Sequence, residues 1–104
     1  MEKLVLVAAM VLGLSVFGWA GSMTWTGTVS DSHCGAKHAT PGDAAAQCVT
    51  GCVKGGAQYV LVSGGKVYEL DAQDKFADFA GKSVKVTGEL NGMEIKVESV
   101  KAAM

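Results

Sequence analysis

Two glycine-containing turns constrain the fold of this chain more than any other feature of its sequence. Gly64-Gly65 and Asn91-Gly92 each separate two runs that are rich in β-branched and aromatic residues. Two-residue turns of this composition are typical of β-hairpins, because glycine and asparagine adopt the positive φ angles that such turns need. The sequence therefore predicts two hairpins, one formed by residues 58–63 and 66–70 and the other by residues 82–90 and 93–100.

A further strand and one helix complete the predicted fold. Residues 23–30 alternate between apolar or glycine positions and Thr or Ser, which indicates a half-buried strand. Phe76 and Phe79 share a face of a helix predicted between the hairpins, and residues 31–56 read as a loop with a short helical turn that begins near Asp43. This order predicts a mainly β, five-stranded OB-like antiparallel barrel with a helix between strands 3 and 4. The alternative is a plain five-stranded antiparallel sheet packed on one helix.

Residues 1–20 have the composition of an export signal. Lys3 precedes an apolar run that ends in small residues near Ala20, as in a cleaved secretory signal peptide. The run is short for a bilayer span of about 20 residues, so we expect cleavage and no stable membrane span afterwards. The protein is then exported, periplasmic or extracellular, with a single OB-like domain at residues 21–104.

The charge balance disfavours nucleic-acid binding. The formal net charge is −1, and no basic stripe is present to neutralise a phosphate backbone. An exported chain also does not meet nucleic acid in its ordinary surroundings. We expect a monomer whose partner is an unknown ligand or protein of the cell envelope.

All of the cysteines and histidines lie within residues 31–56. Thiolate and imidazole groups suit zinc or copper, and spacings of three intervening residues let neighbouring side chains converge on one ion. The sequence thus predicts candidate metal ligands, with the first histidine as a spare donor: His33, Cys34, His38, Cys48 and Cys52.

A disulfide explains the same cysteines differently. Three cysteines in an oxidising compartment fit one bridge and one free thiol. Cys48 and Cys52 are one turn apart on the predicted helix, with Cβ atoms too widely spaced for an unstrained bond, so Cys34 is expected to pair with one of them. Such a bridge would stabilise the fold by roughly 3 kcal/mol.

Enzymatic chemistry has little support in the sequence. Thiol-redox activity at Cys48 and Cys52 is a third interpretation. It ranks below the other two, because the chain lacks a C-x-x-C motif and a thioredoxin-like pattern. Ser30, Asp31 and His33 are near neighbours in sequence, which does not build the geometry of a hydrolytic triad. We therefore expect a protein that is not an enzyme.

Four segments carry a resemblance to a known family: WTGTVSDSHCG (25–35), CVTGCVKGGAQYV (48–60), GKVYEL (65–70) and AGKSVKVTGELNG (80–92). Together they resemble the DUF5818-type family of small exported bacterial proteins of unknown function, over nearly all of residues 21–104. The resemblance implies an OB-like domain and treats the three cysteines as one unit, without implying an activity.

The preferred hypothesis is a non-enzymatic binding or structural module of the bacterial cell envelope. In it a disulfide fastens loop 31–56 and leaves one thiol free. A periplasmic zinc- or copper-binding protein is the first alternative, and a thiol-redox protein the second.

Overall fold

The computed structural model describes residues 21–103, so the predicted signal peptide lies outside the described residues. Within them, no helix is both long enough and apolar enough to cross a membrane. The elements in chain order are β1 (Ser22–Asp31), a 3₁₀ helix (Gly35–His38), α1 (Asp43–Lys54), β2 (Tyr59–Ser63), β3 (Lys66–Leu70), a second 3₁₀ helix (Gln73–Phe79), β4 (Ser83–Asn91) and β5 (Glu94–Ala102).

The five strands form a closed ring of hydrogen-bonded neighbours in the order β1-β2-β3-β5-β4, which confirms the mainly β class. The prediction of an all-antiparallel sheet is wrong at one pairing, because β3 runs parallel to β5 with Leu70 opposite Ile95. The other neighbours are antiparallel. An odd number of strands cannot alternate direction all the way around a closed ring, so one parallel pair is unavoidable.

Both predicted hairpins are present, and the second turns one residue later than the sequence suggested. The first turn uses Gly64 and Gly65, both with positive φ. In the second, Asn91 is already paired with Glu94, and the two-residue loop is Gly92-Met93. Only Gly92 has positive φ there, at 65°. Glycine at the first loop position is the requirement of a type II′ turn, which explains the shift from the predicted Asn-Gly turn.

A β-bulge lies in the long β4–β5 ladder. Thr87 is opposite Ser99 while Gly88 is opposite Val97, so one residue of β5 is left without a partner. A bulge of this kind increases local twist and reverses which side chains face inward. As a result Val97 and Val100, which are out of phase in a regular strand, both pack against the core.

The core fills the inside of the ring, and the second 3₁₀ helix closes it. Phe76 is fully buried against the buried side chains of the strands, which include Val29, Leu61, Val84, Val86 and Ile95. Fully burying such a side chain contributes on the order of 1.5–3 kcal/mol. The predicted helix between strands 3 and 4 is confirmed in position but is 3₁₀ rather than α.

Gln73 holds this 3₁₀ helix against the sheet. Its side-chain amide accepts a hydrogen bond from the backbone N–H of Tyr59 at 2.6 Å and donates to the carbonyl oxygens of Tyr59 and Leu70 at 2.9 and 2.8 Å. The start of the segment is therefore fixed beside β2 and β3. Few residues separate this point from the start of β4. A short helical connector of this kind is commonly 3₁₀, with i→i+3 hydrogen bonds.

Helix α1 is longer than the short helical turn that the sequence predicted, and it packs on the outside of the ring through Ala45 and Val49. Its N-terminal end meets Gly81, whose carbonyl accepts a hydrogen bond from the N–H of Gly42. Gly81 has a φ of 71°, and a Cβ there would collide with the backbone of Ala46. Glycine thus permits the close approach that positions α1 beside the end of β1.

Candidate metal centre

The last residues of β1 are buried on both sides, although a half-buried strand exposes every second side chain. The loop around the first 3₁₀ helix folds over this end of the strand. Thr28 Oγ1 donates to the carbonyl of Ala39 at 2.9 Å, and Ser30 Oγ donates to the carbonyl of Gly35 at 2.7 Å. These two bonds hold the segment that contains Cys34 and His38 against β1.

Asp31 ends β1 with a carboxylate that is 0 % exposed. Its Oδ1 accepts hydrogen bonds from the backbone N–H groups of His33 at 2.9 Å and Cys34 at 2.8 Å, which fixes an Asx-type turn. Its Oδ2 is buried and has no hydrogen-bond partner among residues 21–103. A buried carboxylate oxygen without a hydrogen-bond partner is costly, and a bound cation would offset this cost.

Asp31 belongs to a cluster of four donor groups with Cys34, His38 and Cys48. One ligand atom from each residue lies within 4.8 Å of all the others. His38 Nε2 is also buried without a hydrogen-bond partner in the described part of the chain. Within residues 21–103, both unpartnered buried side-chain atoms therefore belong to residues of this one cluster. A carboxylate, an imidazole and two thiols at this separation could hold a metal ion.

The two sulfur atoms of the cluster are too far apart for a disulfide bond, and their spacing matches that of two ligands of one metal ion. Cys34 Sγ and Cys48 Sγ are 3.9 Å apart, whereas a disulfide needs about 2.05 Å. Two thiolates on one tetrahedral zinc ion, each about 2.3 Å from it, lie about 3.8 Å from each other. All three cysteines, each within the described residues, are free thiols and partly buried.

The surroundings of Cys34 and Cys52 raise the pKa of both thiols and so favour their protonated form. Partial burial, the hydrogen bond with Cys48 and the charge of Asp31 raise the pKa of Cys34, against a lowering by Cys52. Partial burial, Asp31 and the Cys48 thiol likewise raise the pKa of Cys52, to about 11. A divalent ion would reverse this preference, because metal binding needs thiolates and so displaces their protons.

Three of the five ligands predicted from sequence meet in the cluster: Cys34, His38 and Cys48. Cys52 lies one turn further along α1, near enough for the other thiols to shift its pKa, but outside the four-donor group. His33 is exposed and lines an open pocket together with Cys52.

The fourth donor, Asp31, was missed by sequence reasoning. The signal that could have identified it is an aspartate at the end of a strand, followed directly by S-H-C-G (32–35). Aspartate side chains often accept hydrogen bonds from the backbone N–H groups two or three residues later. Such a turn holds the carboxylate beside the cysteine that follows it.

The fold and the cluster define a small β-domain with a closed five-stranded ring and a candidate metal centre, whose donors lie at the end of β1, around the first 3₁₀ helix and on α1. A family model described as Protein of unknown function (DUF5818) matches residues 50–103, and the chain belongs to this family. The matched segment contains Cys52 and strands β2 to β5, while Asp31, Cys34, His38 and Cys48 precede it. No curated protein and no solved structure matches the chain.

Proposed function

We propose that this protein is an exported, non-enzymatic metal-binding protein that holds a zinc ion through Asp31, Cys34, His38 and Cys48. One observation carries the proposal: within residues 21–103, the two buried side-chain polar atoms that lack partners, Asp31 Oδ2 and His38 Nε2, belong to residues that cluster with two thiols. A single tetrahedral ion would satisfy both atoms. It would also bind Cys34 and Cys48 as thiolates, whose charge it would neutralise directly.

The donor set favours zinc over copper. Zinc accepts oxygen, nitrogen and sulfur ligands together in tetrahedral geometry, and the four donors here are of all three kinds. Copper(I) prefers soft sulfur ligands, and a carboxylate is a poor partner for it. Copper remains the alternative to be tested, because thiolate and imidazole groups bind it well.

The groups behind the ligands support a preformed site. Asp31 Oδ1 is held by two backbone N–H groups, which fixes the position of the carboxylate and leaves Oδ2 available to a ligand. The bond from Ser30 to the carbonyl of Gly35 fixes the turn directly after Cys34. Such outer hydrogen bonds hold ligands in place before the ion arrives, and their loss commonly reduces metal affinity by about 10–100-fold.

Metal analysis of protein purified from the periplasm, together with its intact mass with and without reductant, tests the proposal. We expect one zinc ion per chain, three cysteine thiols without a bridge, and loss of the ion in Cys48→Ser and His38→Asn. The matched controls are Thr50→Ser, which is exposed on the same helix, and His33→Asn, an exposed histidine outside the cluster. A wild-type chain that is purified without chelator and contains no metal would refute the proposal.

A second candidate function rests on the closeness of the Cys34 and Cys48 sulfur atoms, which are 3.9 Å apart. Side-chain rotation and a small backbone shift would bring them to bonding distance. The protein would then be a structural or binding module of the bacterial envelope, with loop 31–56 stapled and Cys52 free. An intact mass lower by two hydrogens before reduction, with no metal, is the expected result for this function.

The wider setting of the protein is part of the same proposal. The strand order β1-β2-β3-β5-β4 and the helix between β3 and β4 support an OB-like barrel. The apolar residues 1–20 support export to the periplasm or beyond. We also propose a monomer that does not bind nucleic acid, with a partner drawn from the cell envelope.

A further inference from the structure

An open pocket lies beside the metal centre on the face of the protein that carries His33. Its volume is about 420 Å³, and its lining consists of Ser32, His33, Cys52, Gly55 and Ala57. His33 immediately precedes the ligand Cys34, and Cys52 follows the ligand Cys48 by one helical turn. Two residues of the pocket lining are therefore close neighbours in sequence of two proposed ligands.

Cys52 connects the pocket with the buried donors. It lines the pocket, and it lies four residues after the ligand Cys48 on α1, on the same side of the helix. The four-donor group is complete without it. Cys52 is therefore a soft donor placed between the open surface and a site that already has enough ligands for a tetrahedral ion.

We propose that this pocket is the entry and exit site for the metal, where a zinc complex of a small thiol compound transfers its ion to Cys52 and then to the buried cluster. The inference rests on the proposed function. A volume of about 420 Å³ suits a small molecule, since ligand pockets commonly measure about 300–1,000 Å³. His33 and Ser32 add polar groups at the pocket surface that can receive the charged ends of a small thiol such as cysteine.

The transfer is a ligand exchange without any change of oxidation state. The Cys52 thiol releases its proton to solvent as its sulfur binds the zinc ion, and the bond between zinc and the incoming thiolate breaks. The released thiolate takes up a proton from solvent. Cys34 and Cys48 then bind the ion, each losing one proton to solvent, while the bond between zinc and Cys52 breaks and the Cys52 thiolate takes up a proton from solvent. Release follows the reverse order.

The transfer of zinc from the loaded full-length mature protein to a chromogenic chelator, with and without added cysteine, tests the inference. In wild-type protein we expect cysteine to accelerate the transfer. In Cys52→Ser we expect this acceleration to fall by about tenfold or more, while the equilibrium zinc affinity changes by less than about threefold. Thr50→Ser, on the same helix, is the matched control and should behave as wild type.

A second variant tests the pocket without altering any thiol. Ala57→Leu would fill part of the pocket beside Cys52 and is expected to reduce the cysteine-dependent acceleration while zinc still binds. Equal acceleration in wild type and Cys52→Ser would overturn the inference. So would a loss of equilibrium affinity in Cys52→Ser as large as that in Cys48→Ser, since Cys52 would then be a resident ligand. A wild-type chain that binds no zinc at all would instead refute the proposed function itself.

Discussion

The sulfur atoms of Cys34 and Cys48 lie 3.9 Å apart although the two residues belong to different elements. Cys34 directly precedes the first 3₁₀ helix, and Cys48 lies within α1. An ion held between them would tie the loop over β1 to the helix beside it. Metal binding at the cluster would therefore also stabilise the fold, because anything that binds only the folded state stabilises it.

Asp31→Asn should abolish most of the stabilisation that zinc gives. At a free zinc concentration about 1,000 times the dissociation constant, the wild-type chain gains about 4 kcal/mol of unfolding free energy. Asparagine keeps an oxygen that accepts the two backbone N–H groups, but it replaces the free Oδ2 by a group that cannot ligate zinc. Thermal unfolding with zinc and with a chelator measures the difference.

Asp71→Asn is the control for this variant. Asp71 is exposed and also accepts a backbone N–H, from Val97 at 2.8 Å, but it belongs to no donor cluster among the described residues. Its zinc-dependent rise in melting temperature should equal that of wild type. If Asp31→Asn keeps the full rise as well, Asp31 is not a ligand.

Zinc should protect Cys34 and Cys48 from oxidation. In the metal-free protein their sulfur atoms are neighbours, so mild oxidation by hydrogen peroxide should join them, with reduction of the peroxide to water. In the zinc-loaded protein both sulfurs are bound, and the bridge should form at least about tenfold more slowly. Peptide mapping of the oxidised protein identifies the pair. A bridge that forms equally fast in both forms would contradict a shared ion.

The hairpins could be predicted from the sequence because the signal is local. Glycine at 64, 65 and 92 determines the turns, and the flanking alternation determines which residues pair. The parallel pairing of β3 with β5 could not be obtained in this way. It follows from closing five strands into a ring, which no short stretch of sequence encodes.

The candidate site could likewise be predicted from sequence only in part. Residue chemistry pointed to Cys34, His38 and Cys48, because few side chains bind transition metals well. The inclusion of Asp31 and the position of Cys52 outside the group depend on how α1 lies against the end of β1. That placement depends on long-range contacts, including the approach of α1 to Gly81.

Gly81→Ala should weaken both the fold and the metal site. A Cβ at this position collides with the backbone of Ala46 and also strains a φ of 71°. The strain costs about 1–2 kcal/mol and the overpacking about 1–3 kcal/mol more. Displacement of α1 also moves Cys48, so zinc affinity should fall. Urea denaturation and chelator competition measure the two effects.

Gly56→Ala separates the collision from the strain. Gly56 also has positive φ, at 110°, but a Cβ there meets nothing within 4 Å. Gly56→Ala should lower the free energy of unfolding by only about 1–2 kcal/mol and leave zinc affinity unchanged. Equal losses in the two variants would show that contact with α1 is unimportant.

Alkaline pH should destabilise the metal-free protein through its thiols. The pKa of Cys52 is raised from 9.0 to about 11, and that of Cys34 is raised as well. Between pH 9 and 11 the unfolded chain loses these protons while the folded protein keeps them, so the free energy of unfolding falls as pH rises. The contribution of the Cys52 thiol to the free energy of unfolding is complete below pH 9 and is lost as pH rises through 11.

Urea denaturation of the metal-free, reduced protein across this range measures the effect. Cys52→Ser should show a smaller fall than wild type, because it lacks the thiol with the raised pKa, while Thr50→Ser should follow wild type. Zinc affinity should change in the opposite direction and increase with pH, since each thiol must release its proton to bind the ion. Identical pH slopes of stability in wild type and Cys52→Ser would show that Cys52 does not carry the raised pKa, and would place this thiol away from Asp31 and the other sulfurs.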